Sequence, residues 1–300
     1  MTTGEIDERV VDALASLGNR QRLEILLVLA ERERKPRSQG NHMSFTELYN
    51  AVDIGSSSQF SYHLERLVGQ FVAEDDDGYR LTYGGDKIVR AVLSGLYEGT
   101  TEFEDEPVSG ACVFCEESAL LATLEDERFV VRCEACESRL LTDFFPRSQA
   151  RERTPPEIVS SFGSRIWGSY VMIRRNVCPE CYGLVDTGVE THSHDDRTYH
   201  LSVSTCRECN LVLSFPVEVP AAFHPETVGY LWRHGVELFD LPLWEFFEYV
   251  VSGRVTSEIV SLEPFEGIVT FAMGDETLRL EVGGTGSVTP VERTGSMEFE

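Results

Sequence analysis

Eight cysteines occur in this 300-residue chain, and all of them fall into four C-x-x-C pairs: Cys112/Cys115, Cys133/Cys136, Cys178/Cys181 and Cys206/Cys209. Two thiols three positions apart on a tight backbone knuckle face the same way, and two such knuckles complete a tetrahedral four-sulfur shell around a cation. No cysteine is left over. Disulfide frameworks belong to secreted chains, whereas paired thiols in a cytosolic protein point to metal. The pairing by proximity is Cys112, Cys115, Cys133 and Cys136 around one ion and Cys178, Cys181, Cys206 and Cys209 around a second. Exchange of knuckles between the sets is also geometrically open. Zinc is the usual occupant of a four-thiolate site, with iron as the rival. Four thiolates leave no open coordination position, so two zinc ions are expected to be structural and not catalytic. A redox dithiol would need one C-x-x-C at a strand-to-helix junction, not four.

Such knuckles need hairpins to bring them together. Seventeen residues separate Cys115 from Cys133, and 24 separate Cys181 from Cys206. Within them Leu120–Thr123 and Arg128–Val131, then Leu184–Glu190 and Tyr199–Ser204, alternate as strands do. Residues 108–145 and 177–218 are therefore expected to be two zinc-ribbon-like units. His192, His194 and His200 lie near the second set, but Thr191–Tyr199 reads as a polar hairpin tip rather than a ligand cluster.

Upstream of the cysteines the pattern is helical. Apolar residues recur from Ile6 to Leu17, and Gly18-Asn19 stops the run. Arg20–Glu33 is a second, buried helix. Ser44-Phe45-Thr46-Glu47 is a capping box that starts a short helix to Ala51. After Asp53-Ile54-Gly55, the serines 56–58 supply cap material for a fourth helix, Gln59–Val68, with Phe60, Leu64 and Leu67 inward. Two short helices joined by a glycine turn make a helix-turn-helix. Phe71–Glu74 and Tyr79–Thr82 flank Asp77-Gly78, a hairpin signal. A further helix runs from Gly85 to Tyr97. The outer face of the fourth helix is expected to present Ser57, Ser58, Gln59, Ser61, Tyr62, His63 and Arg66 to bases and phosphates, with Arg80 on the hairpin as a phosphate contact. Asp75–Asp77 at the hairpin tip would repel DNA at low salt.

Residues 8–95, through LGNRQRLEIL, FTELYNAV and SSSQFSYHLERL, resemble the ArsR-like winged-helix regulators. That resemblance implies a DNA-binding winged helix-turn-helix over 1–100. It also implies a homodimer, paired through the first helix and the helix after the wing, on double-stranded DNA. The third helix contains no cysteine, so the metal-sensing chemistry of many members is not carried over.

Between the cysteine sets, Pro155–Arg175 reads as a connecting helix (155–176). Beyond them, His224–Trp232 and Leu243–Val251 read as helices, and Ser257–Leu262, Gly267–Met273 and Thr277–Val282 as strands of a C-terminal α+β region (219–293) before a disordered acidic tail, 294–300. This half resembles the accessory domains attached to winged helices in halophilic archaea, and is the expected place for an effector or protein partner.

Acidic residues number 51 against 26 basic ones, for a net charge of −25. Only Lys35 and Lys87 are lysines, a balance that resembles proteins of salt-loving microbes. Residues 1–100 carry 11 basic and 16 acidic side chains against 15 and 35 in the remainder, so a polyanion is expected to meet the first third. No run is apolar enough to span a membrane and the N-terminus is polar, which predicts a cytoplasmic protein. Nucleophile elbow, P-loop, dinucleotide fingerprint and H-E-x-x-H are all missing, so an enzyme is not expected. The chain thus reads as an α+β transcriptional regulator. The alternative is a general transcription factor or polymerase-associated protein, because transcription factor E also joins a winged helix to a zinc ribbon, though only one.

Overall fold

A computed structural model describes residues 7–34, 41–99, 101–194 and 197–294, which form two compact units dividing between Gly99 and Thr100. Ile6, the centre of the polar stretch after Arg34 and the tail beyond Thr294 lie outside the described residues. The architecture is mixed α+β, with small antiparallel sheets.

In the first unit, α1 (Glu8–Leu17), α2 (Arg20–Glu33), α3 (Phe45–Ala51) and α4 (Ser57–Glu65) precede the hairpin β1 (Val72–Asp75) and β2 (Gly78–Leu81), and α5 (Tyr83–Ser94) follows. Each helix start is capped by a short polar side chain: Asp7, Asn19, Ser44, Ser56 and Thr82 each accept a backbone N–H of the first turn. Ser44 and Glu47 form the reciprocal box. Ile25, Leu26 and Leu29 of α2 pack with Leu48, Phe60, Leu64 and Val72 in one core. The Phe45 ring meets Phe60 edge-on, with centroids 4.9 Å apart, and so fixes α3 against α4. Gly78 closes the hairpin at φ +120°, and a Cβ there would stand 2.5 Å from the Met43 carbonyl oxygen, so glycine is required.

The second unit opens with β3 (Phe103–Val108), β4 (Leu120–Glu125), β5 (Arg128–Cys133) and β6 (Arg139–Phe144), a sheet in that order. A single turn, α6 (Arg147–Ala150), leads into α7 (Pro155–Ile173). Next come β7 (Val185–His194), β8 (Arg197–Cys206) and β9 (Val212–Pro216), followed by α8 (Glu218–Ala222), α9 (Pro225–Arg233) and α10 (Leu243–Val251). A four-stranded meander, β10 (Val255–Leu262), β11 (Phe265–Met273), β12 (Glu276–Gly283) and β13 (Val288–Thr294), ends the chain.

These segments do not hold separate cores. Phe129 of β5, Phe162 of α7 and Trp244 of α10 are all fully buried, and Phe129 lies 4.2 Å from Phe162 and 6.2 Å from Trp244, centroid to centroid. Trp167 Nε1 donates to the Leu241 carbonyl at 2.6 Å, and Tyr230 Oη of α9 donates to the Glu276 carbonyl of β12 at 2.7 Å. One apolar cluster therefore runs from Cys112 to Val282. Thr191–His194 and Arg197–Tyr199, expected as a hairpin tip, are strand, because Thr191, Thr198 and Tyr199 suit the extended backbone that their pairing continues.

Candidate metal centres and the exposed face of the fourth helix

The eight thiols converge in two groups of four: Cys112, Cys115, Cys133 and Cys136, and Cys178, Cys181, Cys206 and Cys209. Within each group the sulfurs lie within 4.8 Å of one another. The cross-knuckle contacts are 3.7 Å (Cys112 to Cys136), 3.6 Å (Cys115 to Cys133), 3.6 Å (Cys178 to Cys209) and 3.5 Å (Cys181 to Cys206). Sulfurs about 2.3 Å from a common tetrahedral centre stand ~3.8 Å apart, so the spacing fits a cation such as zinc, and knuckles are not exchanged between the sets. A disulfide, with sulfurs about 2 Å apart, is not formed.

Local backbone explains why each C-x-x-C folds this way. In all four knuckles the N–H of the first cysteine donates to the carbonyl five residues on: Cys112 to Glu117, Cys133 to Ser138, Cys178 to Gly183 and Cys206 to Leu211. The residue after each second cysteine, Glu116, Glu137, Tyr182 and Asn210, has a positive φ of 58–68° and reverses the chain. Backbone amides of Phe114, Gly183 and Glu208 donate to the sulfurs of Cys112, Cys181 and Cys206 at 3.4 Å. Gly183 is confined as well, since a Cβ there would lie 3.2 Å from the Cys181 sulfur.

Burial raises the Cys112 thiol to about 12. Burial works in the same direction on Cys136, but hydrogen bonds from the Ser138 hydroxyl and amide and from neighbouring thiols outweigh it and bring Cys136 down to about 6. In the second group, the Cys209 amide leads the donors that lower Cys206 to about 7. Each cluster therefore favours one thiolate near neutral pH, and a divalent cation would let the others ionise. The two hairpins also touch: Arg197 of β8 pairs with Glu116 at 2.7 Å, and Tyr199 Oη donates to the Val113 carbonyl at 3.2 Å. His192 and His200 do not join either thiol group; His192 faces Glu190 at 3.3 Å and His200 Nδ1 faces Thr191 Oγ1 at 3.1 Å.

On α4, Ser57, Ser58, Gln59, Tyr62 and Arg66 are exposed, and the Arg66 guanidinium lies 5.6 Å from the Tyr62 ring centre. Ser61 is half-buried and donates to Glu65. Gln59 leans toward α2, where its Nε2 donates to Gln21 Oε1 at 3.4 Å. His63 departs from the expectation of an outer-face contact. It is 7% exposed, and burial followed by the nearby Arg22 charge lowers its pKa. The reason is geometric: Phe60, His63, Leu64 and Leu67 occupy the i, i+3, i+4 and i+7 positions of one buried stripe. Arg80 turns back toward Asp75, 3.5 Å away. His42, unnoticed in the sequence, approaches Asp75 at 3.0 Å and with Asp77 makes a third group of convergent ligand atoms.

Glu218 is a second residue missed by sequence reasoning. It is 8% exposed, held by a 2.6 Å hydrogen bond from Ser257 Oγ, and burial raises its pKa. The only signal in the sequence is a lone acid inside the apolar run FPVEVPAAF. A raised folded pKa means that the native state keeps a proton which the unfolded chain gives up near pH 4.3. The stabilisation is complete below that pH and is lost as pH rises through the folded value, with the His200 charge opposing the shift. Glu218→Gln, which cannot ionise, is expected to melt at a higher temperature than wild type at pH 8, with the difference vanishing by pH 4. Equal melting temperatures across that range would show that burial imposes no such cost.

The chain belongs to the family described as a domain of unknown function, DUF7351, which matches residues 109–288. A second domain of unknown function, DUF7347, matches residues 10–92. No curated protein and no solved structure matches the chain. Among the described residues no helix is long and apolar enough to cross a membrane.

Proposed function

We propose that the protein is a sequence-specific, DNA-binding transcriptional regulator of the cytoplasm, whose second unit is braced by two structural zinc ions in zinc-ribbon-like hairpins. The observation that carries this reading is the order α3, turn, α4, hairpin, α5 around one small core, with Ser57, Ser58, Gln59, Tyr62 and Arg66 exposed along α4 and its C-cap. Helix, turn, helix and hairpin in that order are what a winged helix-turn-helix uses to set its second helix in a major groove. Charge supports the same assignment, because the first third is far less acidic than the rest. Apolar side chains that find no cover within the unit, Val10, Val11 and Leu14 on α1 and Leu93 and Leu96 on or just beyond α5, support pairing of two copies. In the ArsR-like reading these are the helices that dimerise.

The test is a genome-wide footprint in the protein's working salt, comparing wild type with Tyr62→Ala/Arg66→Ala. A few sharp sites, lost or weakened at least tenfold in the variant, are expected. Diffuse occupancy of most promoters that the variant leaves unchanged would replace this reading with that of a general transcription factor.

A further inference from the structure

We infer that the large cavity of the second unit is a binding site for a lipophilic cation, an apolar molecule bearing one positive charge that is neutralised by Glu218. The site stands apart from DNA recognition and holds whether or not the first unit reads a sequence.

The cavity measures about 830 Å³, the size of a pocket for a drug-sized molecule, and every lining residue belongs to the second unit. Its walls come from β6, α7, β7, β8, β9, α8, α10 and β10 together with the first cysteine knuckle. Phe114, Tyr199, Phe215 and Phe247 supply four aromatic rings, with aliphatic side chains between them, while Phe162 in the same wall already carries the Arg165 guanidinium 4.8 Å from its centre. Ring faces carry negative potential and attract cations, the more strongly as water is excluded.

Glu218 is the acid among the lining residues that the fold buries. Its carboxyl accepts from Ser257 Oγ and from its own backbone N–H, and no ion pair involving it occurs among the described residues. A buried carboxylate that no arginine or lysine pairs among the described residues is costly, and a cation entering the cavity adds a full positive charge to the partial help of His200 in a low-dielectric setting.

The arginines on the cavity wall do not compete for this role. Arg165 is held by Asp143 at 2.9 Å, by Gln149 Oε1 at 3.0 Å and by the Phe144 carbonyl at 2.7 Å. Arg197 is held by Glu116 and the Val113 carbonyl. Arg139 stands exposed, where solvent screens it. An anion entering the cavity would instead meet Glu218, within a unit that carries 35 acidic and 15 basic residues.

Tetraphenylphosphonium and tetraphenylborate, nearly identical in shape and opposite in charge, make a direct test. Calorimetric titration of the full chain in 1 M NaCl, where the screening length is about 3 Å, suppresses attraction to the acidic surface. One tetraphenylphosphonium ion per chain is expected to bind and raise the melting temperature, with no comparable binding of tetraphenylborate. Glu218→Gln is expected to weaken the cation at least tenfold while remaining folded; the comparison of the two ions on wild type needs no variant. Equal binding of both ions, binding of neither, or cation affinity unchanged in Glu218→Gln would each overturn the inference.

Discussion

Cys133→Ser is expected to lower the metal content from two ions per chain to one and to unfold most of the second unit at temperatures where wild type is native. Cys133 is fully buried, ends β5 and pairs with Leu120, so its sulfur belongs at once to the four-thiol group and to the apolar core. Apparent binding energies of structural zinc in small domains run to ~10–16 kcal/mol near pH 7, and most of that is folding energy. Loss of even ~5 kcal/mol would lower the melting temperature of a unit this size by roughly 10–20 °C. Metal analysis beside calorimetry checks both halves of the statement. Acid should act in the same direction, because protons compete with the cation for thiolates such as Cys136 and Cys206, held near 6 and 7. A chelator that strips both ions and leaves the melting curve unmoved would refute a structural role for the metal.

Phe129→Ala should cost about 3–5 kcal/mol, the range for removing a fully buried ring. Phe129 is where the first sheet meets the helices: its ring centroid lies 4.2 Å from Phe162, 5.8 Å from Phe145, 6.2 Å from Trp244 and 6.4 Å from Phe103. Since one core spans the unit, the whole of it is expected to melt earlier in a single transition, whereas Phe129→Leu should recover most of the loss. If only residues 103–145 melted early and the remainder kept its wild-type transition, the two cysteine hairpins would have to be independent modules.

Where a residue's role is local, the sequence already declares it. The capping box at Ser44 and Glu47, the Pro-initiated α7 and the aromatic helix Leu243–Val251 appear where their local chemistry indicates, and so do both thiol groups. The strands that periodicity leaves out, β3, β6, β9 and β13, all lie at the edge of a sheet. Edge strands satisfy only one side of their backbone and tolerate charge and proline, as FEDEPV and VTPVERT do, so their alternation is weak. His63 shows the opposite failure: a polar residue three positions after Phe60 looked available when the stripe around it had already placed it inside. The cavity was out of reach for another reason. Its walls come from elements more than a hundred residues apart, and only packing makes Arg139 and Ser257 neighbours of one space.

The four knuckles share one backbone design, yet their partners stand 17 residues apart in one case and 24 in the other. The difference is mainly arm length: β4 and β5 have six residues each and β7 and β8 ten, offset by one residue fewer between Cys181 and β7 than between Cys115 and β4. Because side chains alternate with period two, a hairpin can gain or lose residues in matched pairs at its far end without turning its cysteines away from one another. Evolution can therefore tune the reach of each arm while the cysteine end stays fixed. A search for distant relatives that insists on a fixed interval between cysteine pairs would pass over chains that kept the same anchor on a longer or shorter lever.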